Sequence, residues 1–327
     1  MLLGYYSHLL QKRWEFLYPS QTRKGTEKQQ SPPRLPVSFS SAVTDERHNV
    51  FSEIKNTAPT FFLGAMKGAR SYLPKNQPEL KLISLEDVVV EPVRWLWYPY
   101  IPLGKLSIIH GDPAEGKTTL ALWIAAACSR GQALPGGENK EPQTVLYQTA
   151  EDGLGDTIKP RLLESQADLH RIYTIDETDF PLSMLDHRIG EAIQDTHAQL
   201  MILDPMQAYL GEKVDMNRAN EVRTVMKGLT KVANQTGCAI VLVGHLNKSQ
   251  SANSAQRGLG SMDFRAAARS VLLVGRLKQN RDIRVMVHDK SSLAPEGNSR
   301  GFTLDNGTLH WQEGYENLTA DELLSGR

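Results

Sequence analysis

From about Leu82 onward the chain alternates two patterns of apolar residues. The stretches "LSIIH" from Leu106, "TVLYQ" from Thr144, "LMILD" from Leu200, "CAIVLVGH" from Cys238 and "SVLLVG" from Ser270 are short runs rich in Val, Ile and Leu. Such runs suit strands of a parallel sheet buried on both faces. Between them the apolar residues follow a helical period. In Asn217 to Thr236 they are Val222, Val225, Met226, Leu229 and Val232, with Gly237 as the expected stop. Between Ser183 and Ala198, Leu185, Ile189 and Ile193 recur every four residues and predict another helix. Strands alternating with helices predict an α/β fold with a mainly parallel sheet flanked by helices. Near the end, "GFTLDNGTLHW" sets Asn306-Gly307 between two alternating runs, which predicts a C-terminal β-hairpin.

The N-terminal part reads differently. Residues 20–50 are rich in Ser, Pro, Gln, Lys and Arg and carry little that could form a core, so they read as linker or disorder. Residues 1–19 suggest a short amphipathic helix with Leu9, Leu10, Trp14 and Leu17 on one side, and 51–80 are punctuated by Pro59, Pro74 and Pro78. The expected organisation is an irregular extension over 1–80, one core domain over 81–314, and a C-terminal tail over 315–327. "RWLWYP", Arg94 to Pro99, is expected to pack as an aromatic lid on that core.

Composition narrows the classes of function. The chain has 327 residues, with 37 basic and 37 acidic side chains, so no global field draws it to nucleic acid or membrane. Any nucleic-acid contact must come from a local patch or from assembly. Cys128 and Cys238 sit amid small or apolar residues and read as buried thiols, with no Cys/His cluster to suggest zinc. No run approaches a membrane span, and the first residues lack the features of a cleaved leader, so a cytoplasmic location is expected.

The chemistry starts at "HGDPAEGKTT". Gly111, Asp112, Pro113, Ala114, Glu115, Gly116, Lys117, Thr118 and Thr119 form a phosphate-binding loop between the strand "LSIIH" and a helix carrying Leu120, Ala121, Ile124 and Cys128 on one face. Its backbone N–H groups and the helix N-terminus favour phosphate. Lys117 is expected to reach the β- and γ-phosphates of ATP, and Thr118 to ligate Mg²⁺. "QLMILDP" supplies the acid for the metal, Asp204, at the end of a strand. "TVLYQTAEDG" ends in Glu151 and Asp152, a place for the carboxylate that activates water. The base-reading Asn-Lys-x-Asp stretch of a GTPase switch is missing, and "LLSGR" is not a transporter signature.

Taken together, "WLWYPYIPLGKLSIIHGDPAEGKTTLALWIAA", "VLYQTAED", "LMILDPMQAYL" and "AIVLVGHLNK" resemble the RecA-like P-loop ATPases of the RepA type, the plasmid- and phage-associated hexameric replicative helicases and their relatives. The resemblance covers Leu82 to Trp311. It implies a RecA-like P-loop NTPase core with strand order 5-1-4-3-2, in which "CAIVLVGH" lies between the phosphate-loop strand and the Asp204 strand. It also implies that Glu151 is the catalytic base and that His245 senses the γ-phosphate. The segment after His245 would line a channel for single-stranded DNA, with Lys248 and Arg257 available to phosphates, and Phe264 would serve helix packing. A trans-acting cation would complete each site across a homo-oligomer, a hexamer in the family. "VMVHDKSSLAPEG" points to Lys290, with Arg269, Arg276 and Arg300 as competitors. The implied function is a DNA-stimulated ATPase acting in replication or recombination as a helicase or helicase-like factor. The alternative is a nucleotide-dependent regulatory or interaction module without unwinding activity.

Overall fold

The computed structural model describes residues 80–325 apart from 212, 213, 217, 246–261 and 306. The chain divides into two units, Met1–Glu86 and Asp87–Arg327. The expected N-terminal helix and linker lie outside the described residues. In the first unit, residues 80–86 expose Leu80, Leu82, Ile83 and Leu85.

The second unit opens with a two-stranded ribbon, β1 (Trp95–Trp97) and β2 (Ile101–Pro102). Then come β3 (Leu106–Gly111), α1 (Lys117–Ser129), β4 (Val145–Thr149), α2 (Lys159–Glu164), β5 (Ile172–Tyr173) and α3 (His187–Thr196). The remainder is β6 (Leu200–Asp204), α4 (Ala219–Thr236), β7 (Ala239–His245), α5 (Met262–Ala267), β8 (Ser270–Arg276), β9 (Arg284–Ser291), β10 (Arg300–Asp305), β11 (Thr308–Gln312) and α6 (Ala320–Ser325). β3 to β11 form one sheet in the order β11-β10-β9-β8-β3-β7-β6-β4-β5. The pairs from β8 through β3, β7, β6 and β4 to β5 are parallel, and β9, β10 and β11 are added antiparallel. The run β8-β3-β7-β6-β4 is the expected 5-1-4-3-2 order, with the His245 strand between the phosphate-loop strand and the Asp204 strand.

Alternation along each strand divides the core between the two faces. Ile109, Val241, Val243, Leu272 and Val274 point to the face covered by α1, the α2 residue Leu162 and the ribbon. Ile108, Ile240, Leu242 and Val271 point to the face covered by α3, α4 and α5. Helix α1 was expected to bury one face, yet Leu120, Ala121, Leu122, Ile124, Ala125, Ala126, Ala127 and Cys128 are all buried. It runs between the sheet and Trp311 of β11, so no side of it meets much water. Trp97 is buried against Tyr100 and Trp311, as the lid expectation has it, whereas Tyr98 is exposed. Both cysteines and Phe264 are buried.

One expectation is corrected. Leu185 lies before α3 and is exposed; the helix begins later because the Asp186 side chain accepts from the Arg188 N–H and caps it. The C-terminal tail carries α6. Ala320 and Leu323 of α6 are buried against Leu273, Val285 and Val287, which extends the core over β8 and β9.

His288 on β9 is the most perturbed buried imidazole with a definite hydrogen-bond pattern. Its Nδ1 accepts from the Gly297 N–H at 2.9 Å, which leaves Nε2–H to donate to Ser270 Oγ at 3.0 Å. Burial pushes its pKa down to about 4. An unfolded chain takes up this proton near pH 6.5, while the folded chain refuses it until about pH 4. Stability is therefore complete above pH 6.5 and falls with pH through that window, by a total on the order of 3 kcal/mol. Urea unfolding of His288→Gln should show a shallower slope between pH 6.5 and 4 than the parent. An unchanged slope would remove His288 as its source.

Candidate nucleotide site

The site forms where the parallel strands end. The first glycine of the phosphate loop, Gly111, closes β3, and a Cβ there would collide with the Val274 carbonyl, so the loop can follow this path only with glycine. Gly116 sits at φ 95° just before α1 and is required for the same turn. Lys117 is buried, and its Nζ donates to the Asp112 carbonyl at 2.7 Å across the loop. Burial lowers its pKa, while Asp204, Asp112, Glu115 and Glu151 oppose the shift. Four carboxylates thus surround one ammonium.

Asp204 ends β6, buried beside α1. Burial raises its pKa; hydrogen bonds from Thr118 and Tyr147, and the Lys117 charge, hold it down. The Tyr147 hydroxyl donates to Oδ2 at 2.9 Å and fixes the carboxylate from the β4 side. Sequence reasoning passed over Tyr147. A phenol inside an otherwise apolar strand signals a hydroxyl that needs a buried partner. Thr118 and Asp204 therefore present a hydroxyl and a carboxylate to one point, the donor set Mg²⁺ accepts when phosphates and water complete its shell. Among the described residues there is no cluster of three or more His, Cys, Asp or Glu that would make a self-sufficient metal cage.

Glu151 and Asp152 follow β4 by two and three residues. Arg161 donates to Asp152 at 3.4 Å, and the Asp152 N–H bonds Thr149 Oγ1 at 3.3 Å. Glu151 is exposed and makes no such contact among the described residues. Of the two carboxylates it alone is unencumbered. His245 is the register partner of Gly111 across the β3–β7 pair. Burial lowers its pKa, assisted by Lys117 and opposed by Glu151 and Asp204, so it is neutral near pH 7. Lys117, Thr118, Glu151, Asp204 and His245 are thus brought to one place, although they come from the start of α1 and from the ends of three separate strands.

The other expected residues are placed elsewhere. Lys248 and Arg257 lie outside the described residues. Lys290 Nζ donates to the carbonyls of Arg265, Ala266 and Ala268, at 2.6, 3.4 and 2.9 Å, and caps the C-terminal end of α5. Arg300 packs over the Tyr100 ring. Arg276 lies against its own chain's phosphate loop, donating to the Ala114 carbonyl at 2.7 Å. Arg269 is exposed. No helix is long and apolar enough to cross a membrane, among the described residues.

Comparison with known proteins matches residues 75–251 to the AAA domain family. DNA repair protein RadA of Halalkalibacterium halodurans is 25% identical over 201 residues, covering 61% of this chain and 40% of that protein. RadA of Bacillus subtilis is 29% identical over 150 residues, 45% of this chain and 29% of that protein. RadA of Mycobacterium tuberculosis is 27% identical over 150 residues, 44% of this chain and 28% of that protein. The chain spans well under half the length of these curated relatives. The family match covers the phosphate loop, Glu151, Asp204 and His245, and the strand order is that of a RecA-like core: the chain belongs to the AAA domain family, as a RecA-like P-loop domain.

Proposed function

We propose that this chain is a Mg²⁺-dependent ATPase that spends its turnover on DNA, as a helicase or helicase-like factor in recombination, repair or replication. The observation that carries the reading is the convergence of Lys117, Thr118, Glu151, Asp204 and His245 at the ends of neighbouring parallel strands. In this reading the loop N–H groups and Lys117 hold the phosphates of ATP. Thr118 and Asp204 hold Mg²⁺, which neutralises phosphate charge when bound. Tyr147 keeps Asp204 oriented. Glu151, with no competing partner, takes the proton of the attacking water. His245, neutral and next to Gly111, registers whether the γ-phosphate is present.

The link to DNA rests on the chain path and on the printed function of the relatives. His245 is the last described residue before segment 246–261, which carries Lys248 and Arg257, and α5 resumes immediately after it. His245 is thus joined in sequence to the segment proposed to meet single-stranded DNA through its phosphates. In a homo-oligomeric ring, hexameric as in the resembling helicases, the cation supplied to the neighbouring site is Lys290 or Arg269. Lys290 would first have to leave three carbonyls, whereas Arg269 is exposed.

The test is ATP turnover with and without single-stranded DNA. Turnover should rise severalfold with DNA, and Lys248→Ala with Arg257→Ala should abolish the rise while leaving the DNA-free rate. A rate indifferent to DNA would leave the nucleotide-dependent interaction module as the reading.

A further inference from the structure

Two arginines on the far side of the phosphate loop have no part in the reading above. Arg276 ends β8 and Arg284 begins β9, and they are direct register partners across the antiparallel pair. Like charges set opposite one another repel, so such a pairing persists where an anion is shared between them. Both lie on the loop. Arg276 donates through Nη2 to the Ala114 carbonyl, and its Nε is 3.6 Å from Glu115 Oε2. Arg284 runs over Gly116, where a Cβ would come within 3.0 Å of its Cδ and 3.2 Å of its Nε; its Nη1 donates to the Asp282 carbonyl at 3.3 Å. The Nε atoms of both arginines are buried without a hydrogen-bond acceptor, and Glu115 Oε2 is buried without a hydrogen-bond donor. Two guanidinium groups meet the Glu115 carboxylate here, with Asp282 also acting on Arg284, and two Nε donors at the loop lack a hydrogen-bonded acceptor.

The strand order fixes which part of a nucleotide these donors meet. β3 carries the loop, with β7, β6 and β4 on one side of it and β8 and β9 on the other. Asp204, Glu151 and His245 all belong to the first side, so that is where the terminal phosphate lies. A triphosphate laid across the loop then has its ester-linked end over β8 and β9. We propose that Arg276 and Arg284 form the α-phosphate site of this loop, supplied by the same chain that supplies the loop. Arg284 contacts the phosphate through its guanidinium group, and Arg276 shares the anion while bracing the loop at Ala114. The proposal rests on the reading that the loop holds a nucleoside triphosphate. It removes Arg276 from the candidates for a cation donated to a neighbouring subunit.

Equilibrium binding of ATP, ADP and inorganic pyrophosphate separates the possibilities. Loss of one charge-assisted hydrogen bond predicts that Arg284→Met weakens ATP and ADP alike, by about tenfold or more. Pyrophosphate has no ester-linked phosphate and should bind within about twofold of the parent, which also shows that the variant is folded. Arg284→Lys keeps the charge and should recover part of the loss. The α-phosphate assignment is overturned if Arg284→Met binds ATP and ADP as the parent does, or if pyrophosphate weakens as much as ADP. If the unaltered protein binds none of the three, the nucleotide reading itself fails, which is a different result from either.

Discussion

Glu151→Gln is expected to lower ATP turnover by about 10²–10⁴-fold, the usual contribution of a positioned general base. Nucleotide affinity should stay within about threefold, because the residue meets water and not the phosphate chain. The geometry makes the choice of carboxylate specific. Asp152 is adjacent in sequence but is engaged by Arg161 and by its own strand end, so Asp152→Asn is expected to act on local structure and cost far less activity. Lys117→Ala provides the contrast, since it removes the ammonium that holds the phosphates and should abolish binding together with turnover. Steady-state phosphate release and equilibrium nucleotide binding on the same three variants decide the matter. A Glu151→Gln rate within about threefold of the parent would show that water is activated by another group, and the general-base contribution would have to be sought elsewhere.

Much of this site is legible in the sequence because its residues sit at punctuation marks of the chain. A phosphate loop needs glycines where the chain turns, and Gly111 and Gly116 occupy those turns. Glu151, Asp204 and His245 each follow or end an unbroken apolar run, and in a parallel sheet all such runs end on one side. Strand identity and order were likewise carried by continuous burial on both faces. Residues that act across the sheet left no comparable mark. Tyr147 and Asp204 are 57 positions apart, and only the β4–β6 register brings hydroxyl and carboxylate together. Arg276 and Arg284 face each other because β8 and β9 are antiparallel neighbours, whereas the sequence offered Arg276 only as a competitor for the trans-acting cation and gave Arg284 no part. Lys290 was read from a local motif, and its three carbonyl partners belong to the end of a helix more than twenty residues earlier. The exposed position of Leu185 shows a weaker point of periodicity: it counts apolar residues and does not see that Asp186 starts the helix.

Asp289→Ala should be among the most destabilising single changes in the domain, by about 3 kcal/mol in urea unfolding. The register of β8 against β9 shifts between Val271 and Leu272: Val271 faces Lys290 and Leu272 faces His288, which leaves Asp289 as the extra residue of a bulge. Its side chain is buried, and its Oδ2 lies 3.6 Å from His110 Nε2 and in direct contact with Arg265 Nη1. Burial alone would push its pKa up, but His110 and Arg265 outweigh that and hold the carboxyl below its usual range. Removing the carboxylate leaves a buried imidazole and a guanidinium without their common partner. Breaking a fully buried pair costs about 3–5 kcal/mol; Arg265 retains some water, which places the loss at the lower end. Asp289→Asn keeps the shape and an acceptor for Arg265, so it should lose less than half as much. The two flanking residues give the bulge a position of consequence. His110 immediately precedes the phosphate loop, and Arg265 lies on α5, just beyond the segment proposed to meet DNA. If Asp289→Ala unfolds within about 1 kcal/mol of the parent, the bulge is ordinary strand irregularity. If the full loss appears, the phosphate-loop strand and α5 are fastened to each other through one carboxylate.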